Sequence, residues 1–317
     1  MSHILDDFIF FGPKDSDSCL NDLQSFMQIA SLINLPIKHS KTHLPSPIAV
    51  LHGIEIDTNS MQARLPRDKI LKASNMLHLL SKKRRVTLAE QQSIIGFLNF
   101  ACRVIVPGRA FLRRLINLTH GLTKPNHHVR LNKNARLDIN AWLTFLSSFN
   151  GTTILRRFVW ETSQKLHLYS DAASKHGFAA ILGSEWFQGV FPQDWDQFHI
   201  TFKELYPITA AVVVWGTQLA NKCILMHCDN QAVVHIINSL TSKDNDIMCL
   251  VRHLVVSCMR FNIQFQAEHI PGSVNTIADL LSRSQVRHAL KIAPWLKEHQ
   301  TPLPVHLHPS NIPSNNY

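Results

Sequence analysis

Residues 165–191 read KLHLYSDAASKHGFAAILGSEWFQGVF, and this run decides the fold. Its first seven residues alternate apolar and polar, as a strand with one buried face does. Residues 177–182 and 186–191 continue as two more strands, with Gly183-Ser184 as the turn between them. Downstream, 202–220 is strongly apolar and predicts a helix buried on several sides. Residues 222–228 (KCILMHC) predict a strand, 229–239 and 245–259 two helices, 261–268 a strand and 275–283 a last short helix. The order βββαβααβα predicts a mixed sheet with helices on its faces.

Upstream the grammar differs. Residues 3–12 (HILDDFIFFG) predict two short β segments flanking Asp6 and Asp7, and 16–34 a helix. Residues 48–56 and 60–65 predict a strand pair turning at Asp57-Thr58-Asn59. Helices follow over about 66–81, 87–104 and 108–119, the second opened by a T-x-x-E capping box at Thr87–Glu90. Residues 121–134 read as a polar connection and 135–148 as a further helix, with Asn150-Gly151 as a boundary. The end, residues 301–317, is rich in Pro, Asn and Ser, has little to pack and predicts a disordered tail.

The 317 residues are 45% hydrophobic, enough for two or three packed domains, which excludes a wholly disordered chain. The longest apolar run, Ala210–Trp215, is far below the roughly 18 residues of a membrane span. The start Met-Ser-His, with Asp6 and Asp7 soon after, is not a signal peptide. Six cysteines show no C-x-x-C spacing and read as reduced thiols of an intracellular protein, cytoplasmic or nuclear. Charge is uneven. Residues 1–59 carry 3 Lys/Arg against 7 Asp/Glu, residues 60–150 carry 16 against 3, and residues 151–317 carry 13 against 12. A basic middle of net +13 points to a polyanion, nucleic acid first, and not to a membrane. The row Lys82-Lys83-Arg84-Arg85 is its densest part; the plain alternative is a solvated basic loop.

Four acids stand where a cleft at the sheet's edge needs them: Asp171 at the end of the first strand, Glu204 in the first turn of the long helix, Asp229 after the fourth strand and Asp279 on the last helix. Together they would repel one another without a cation. Magnesium takes oxygen ligands, and two such ions can drive phosphodiester hydrolysis. Each acid also has an ordinary reading. Asp171 could cap a turn, Glu204 could close a capping box with Thr201, Asp229 could N-cap the next helix, and Asp279 could simply face solvent.

The runs LYSDAASKHGFAAIL, TFKELYPI, LMHCDNQAVVHIIN and AEHIPGSVNTIADLLSR resemble the ribonuclease H of retroelements over residues 165–283. The resemblance implies a ribonuclease H-like, mixed five-stranded sheet with flanking helices (α+β or α/β). It also implies a tetrad of Asp171, Glu204, Asp229 and Asp279 holding two Mg²⁺, with Mn²⁺ able to substitute. His269 falls where the family carries a histidine that assists product release and proton movement; the alternative is a loop histidine satisfied by backbone. Pro207, three residues after Glu204, removes an amide donor and favours a kink or a later helix start.

HILDDFIFFG resembles the x-x-D-D hairpin of reverse transcriptases, LPIKHSKT and LHGIEID the segments that follow it, and 66–120 a thumb and connection. The whole chain is most similar to DIRS-type retrotransposons. The implied organisation is a truncated palm remnant over 1–65, a basic and mainly helical thumb/connection over 66–150, a ribonuclease H-like domain over 152–285 and an extension over 286–317. Asp6 and Asp7 would then be a polymerase remnant without its partner carboxylate, with residues 1–14 loosely held and no polymerase activity expected from the chain alone. The leading expectation is an endonuclease cutting the RNA strand of RNA–DNA hybrids. An inactive relic that still binds nucleic acid is the alternative. A structural subunit beside a retroelement protein is a third reading, and a DNA-integrating enzyme shares the fold class.

Overall fold

The computed structural model describes residues 2–4, 7–148, 153–154 and 167–309. The N-terminal part opens with an antiparallel hairpin, β1 (Ser2–Ile4) and β2 (Asp7–Ile9), followed by α1 (Ser18–Leu32). Phe8 and Phe10 pack on Phe26 of α1, at 4.6 and 5.4 Å between ring centroids. The hairpin is therefore docked on a helix, which corrects the expectation of loosely held residues for those described. Next comes an antiparallel sheet of β3 (Ile48–Leu51), β4 (Ile54–Asp57), β5 (Gln62–Arg64) and the short β8 (Thr153–Ile154). The expected single strand over 48–56 is two strands. His52 and Gly53 both take positive φ, +48° and +76°, the two-residue turn that matches strand twist.

The middle is mainly helical: α2 (Arg67–Lys82), α3 (Leu88–Ala101), α4 (Arg113–Asn117) and α5 (Lys133–Ser148). The capping box at the start of α3 is formed as the sequence predicts. Thr87 Oγ1 accepts from the Glu90 amide, and the Glu90 carboxylate accepts from the Thr87 amide. The polar connection 121–134 is not all loop. Within it β7 (His128–Arg130) pairs with β6 (Arg85–Thr87), because Val86 and Val129 face inward and are buried.

Residues 165–191 supply three of the five strands of the main sheet. β9 (Leu168–Ala173), β10 (Gly177–Leu182) and β11 (Glu185–Val190) form an antiparallel meander. α6 (Ile200–Val214) and α7 (Gly216–Leu219) lead to β12 (Cys223–Cys228), which joins β9 in parallel. α8 (Gln231–Ser239) and α9 (Asn245–Arg260) lead to β13 (Gln264–His269), parallel to β12. α10 (Thr276–Ser282) and α11 (Val286–Ile292) close the described helices. The sheet order β11-β10-β9-β12-β13, antiparallel then parallel, with helices on both faces, is the ribonuclease H-like arrangement. α6 runs unbroken through Pro207, so the expected late start does not occur. β10 is buried at every position, as a strand covered on both faces must be.

The C-terminal extension packs further than its composition suggests. Ala289, Ala293 and Leu296 bury against Ala179, Ile181 and Trp186. The Trp186 Nε1–H donates to the Lys297 carbonyl at 2.8 Å, and the Tyr206 hydroxyl donates to the Leu307 carbonyl. Residues 301–309 are thus seated, against the expected unpacked tail; 310–317 lie outside the described residues.

Candidate active site

The four acids meet at one edge of the five-stranded sheet, each held by a different element. Asp171 is the fourth residue of β9, so the strand runs past it and it caps no turn. It is 5% exposed, and its carboxylate accepts the hydroxyl proton of Ser282, the last residue of α10. Asn275 precedes α10, and its Nδ2 donates to the Ser170 carbonyl at 2.9 Å, which ties the start of α10 to β9. Glu204 lies in the second turn of α6, not the first, because the helix starts at Ile200. The cap there is His199, whose Nδ1 accepts from the Thr201 amide, so the Thr201–Glu204 capping box is not formed. Glu204 is 6% exposed, and its Oε2 has no hydrogen-bond partner among the described residues. Asp229 directly follows β12, and the helix cap beside it is Asn230, which accepts from the amides of Ala232 and Val233. That leaves the Asp229 carboxylate free of a capping role. Asp279, half-buried on α10, accepts from Arg283 Nε at 2.7 Å.

Electrostatics show that the four form one group. Burial pushes Asp171 up to about 6; the Ser282 bond opposes this, while Asp229 and Asp279 add to it. Burial also pushes Glu204 up to about 9, reinforced by Asp171, Asp229 and Asp279. Asp229 is raised by burial and by Asp279. Such a cluster, with an orphaned buried carboxylate oxygen inside it, has the donor set and the excess of negative charge that suit a hard divalent cation. Glu204, Asp229 and the thiol of Cys228 offer atoms within 4.8 Å of one another. Cys228 was not singled out by the sequence, since no spacing rule marks a cysteine next to a strand-end aspartate. Burial raises it well above the usual thiol range, and its soft sulfur suits a hard oxygen-seeking ion less well than the carboxylates do. Ser282 and Arg283 also escaped the sequence reading, although SR follows Asp279 by three and four residues. Gly272 belongs here too, because a Cβ there would stand 3.3 Å from Asp229 Oδ2.

His269 ends β13, exposed, with Nε2 3.1 Å from the Asp229 carbonyl. It is beside the cluster, and it also has the backbone partner that the ordinary reading required. Of the basic row, Lys82, Lys83, Arg84 and Arg85 are all exposed, but Lys83 Nζ pairs with Glu90 at 2.7 Å. Asp7 is exposed and stands 3.9 Å from His52 Nδ1; Asp6 lies outside the described residues.

No protein-family model matches the chain, and no curated protein matches it by sequence. Among solved structures it is similar to a foamy viral protease–reverse transcriptase in complex with double-stranded DNA, at 16% identity over 82% of this chain and 44% of that one, TM-score 0.41. A foamy viral protease–reverse transcriptase in complex with an RNA/DNA hybrid aligns at 14% identity over 81% of this chain and 34% of that one, TM-score 0.39. The chain therefore spans less than half the length of these two structures. No helix of the described residues is long and apolar enough to cross a membrane.

Proposed function

We propose that the chain is a divalent-metal-dependent endonuclease of the ribonuclease H type, acting on the RNA strand of an RNA–DNA hybrid. The observation that carries this reading is the convergence of Asp171, Glu204, Asp229 and Asp279 from β9, α6, the end of β12 and α10. Two Mg²⁺ held by these carboxylates would supply Lewis-acid activation of water and charge stabilisation at the leaving oxygen. The residues divide the remaining work. Asp171 and Glu204, buried, give a rigid wall that excludes solvent. Asp229 and Asp279, more open, face the side from which a phosphodiester would approach. Ser282 fixes the rotamer of Asp171, and Arg283 holds Asp279. His269, on the exposed rim beside Asp229, can take or give a proton at Nε2 once it leaves the backbone carbonyl. The basic segment supplies the grip on phosphates, with Lys82, Arg84 and Arg85 as its contacts and Lys83 joining when Glu90 releases it. The sequence likeness supports placing the chain in the reverse transcriptase–ribonuclease H part of a DIRS-type retroelement.

The test is cleavage of a hybrid labelled on its RNA strand by the purified full chain, with Mg²⁺ and with chelator. Metal-dependent cutting of RNA with the DNA strand intact is expected. Tight binding without cutting, in Mg²⁺ and in Mn²⁺, would leave a nucleic-acid-binding relic.

A further inference from the structure

The small ribbon β6–β7 carries a conflict that the fold does not need. In the ladder Arg85 stands opposite Arg130, Val86 opposite Val129, and Thr87 opposite His128. The Leu131 amide donates to the Arg84 carbonyl and the Leu88 amide to the His127 carbonyl. Hydrogen-bonded pairs alternate with unbonded ones, so Arg85/Arg130 is an unbonded pair, the kind in which side chains stand closest. Val86 and Val129 point inward and are buried, so both guanidiniums point outward, and both residues are exposed. Like charges directly opposite on one face repel. Among the described residues, the carboxylates of their own segment do not offset them. Segment 60–150 has three carboxylates. Glu90 is taken by Lys83 and its own capping box. Asp138 is buried against Arg114. Asp68 opens α2, about 20 Å along that helix from Lys82. Neither Arg85 nor Arg130 has an ion-pair partner among the described residues. The backbone that presents them is fixed from behind: Arg136 of α5 donates to the Ser81 and Lys83 carbonyls at the end of α2.

We propose that the outward face of β6–β7 is a phosphate clamp in which Arg85 and Arg130 together hold a single backbone phosphate of the nucleic acid. This rests on the nucleic-acid reading above and adds a second strand, β7, to the basic row. Two guanidinium forks presented from directly opposite positions on one exposed face suit one phosphate group, whose oxygens accept from both. The face offers Arg85, Thr87, His128 and Arg130 and no apolar side chain, so it has nothing to insert into a lipid surface.

The experiment measures binding of the full chain to a labelled hybrid in chelator, so that cleavage plays no part, across a salt series. Arg85→Gln and Arg130→Gln should each weaken binding roughly tenfold or more. The double variant should make the log–log salt slope shallower by about 0.9, one phosphate's worth, rather than twice that. Arg130→Lys should keep the slope. Without nucleic acid and at low salt, Arg130→Gln should melt no lower than the parent, since a repulsion has been removed. The clamp is overturned if either Gln variant binds as the parent does, if the double variant loses two phosphates' worth of slope, or if Arg130→Gln melts lower without ligand. It is also overturned if phosphatidylserine vesicles bind the chain as tightly as the hybrid. Absent cleavage with this binding pattern intact would instead count against the nuclease reading alone.

Discussion

At the scale of single residues, the acidic edge is a device that resists its own charge. Asp229→Asn replaces a carboxylate by a neutral amide, a poor ligand for a hard cation. It should remove most hybrid cleavage and lower the Mg²⁺ affinity seen by calorimetry; cutting at the parent rate would show that Asp229 holds no metal. Glu204 gives a pH test. Its folded-state value is raised to about 9 from an ordinary 4.5, so the native state binds this proton more tightly than the unfolded chain does. Native stability owed to the neutral form is complete below about pH 4.5 and drains away as pH rises toward 9. Glu204→Gln keeps the neutral form at every pH. In chelator, its Tm relative to the parent should therefore climb between pH 5 and 9. Asp171, raised to about 6, should give the same trend for Asp171→Asn over a narrower window. In the parent, the Tm gain on adding Mg²⁺ should grow with pH over that range, since the cation competes with protons for the same oxygens. A gain independent of pH would place Mg²⁺ elsewhere.

At the scale of elements, caps and turns decide where the chain changes direction. Thr87 both ends β6 and caps α3, and its capping box is complete. Thr87→Ala should cost about 1 kcal/mol in chemical denaturation; a loss under a few tenths would mean that water replaces the cap. The capping box was legible because its signal is local, and so were the three strands of the meander, short apolar runs of which the last two are parted by the Gly183-Ser184 turn. The four acids could be grouped from the sequence because each falls on a different strand or helix of the same alternating pattern, although Asp171 and Glu204 lie further inside their elements than expected. Other features depend on partners far away in the chain. β7 looks like loop until Val129 finds Val86, 43 positions earlier, and the two strands it makes are only three residues each. The turn at His52-Gly53 carries the same physics as an Asn-Gly hairpin but with a residue that is less often left-handed. Ser282's role follows from meeting Asp171 across 111 residues, which no local pattern encodes. The extension to residue 309 reads as polar and proline-rich, yet a few side chains, Leu296 and Leu307 among them, are enough to seat it.

At the scale of the whole molecule, one hydrophobic core runs from the helical middle into the five-stranded sheet, joining Leu98, Ile105 and Trp142 to Leu205, Leu254 and Ala267. A charged joint lies within it. Asp138 of α5 and Arg252 of α9 are 1% and 2% exposed, and Asp138 Oδ1 meets Arg114 Nη1 at 3.1 Å and Arg252 Nε at 3.7 Å. Burial drives Asp138 up to about 6 and Arg252 down to about 10, each opposed by the other's charge. Such a joint adds little net stability over a well-packed apolar one, but breaking it from one side leaves a buried charge uncompensated. Asp138→Ala strands Arg252, and it should cost about 3–5 kcal/mol in denaturant unfolding. Arg114, only partly covered, can turn toward water and loses less. Replacing both buried partners, Asp138→Leu with Arg252→Met, removes the charges together and should recover most of that loss. The helical middle and the sheet should then still unfold in one transition, because the surrounding core is shared. If the double variant is as unstable as the single one, the joint is held by packing rather than by charge. If the two parts separate into two transitions, the ion cluster rather than the apolar core is what makes them one cooperative unit, and the phosphate clamp on α2–β6–β7 would lose its fixed position relative to the acidic edge.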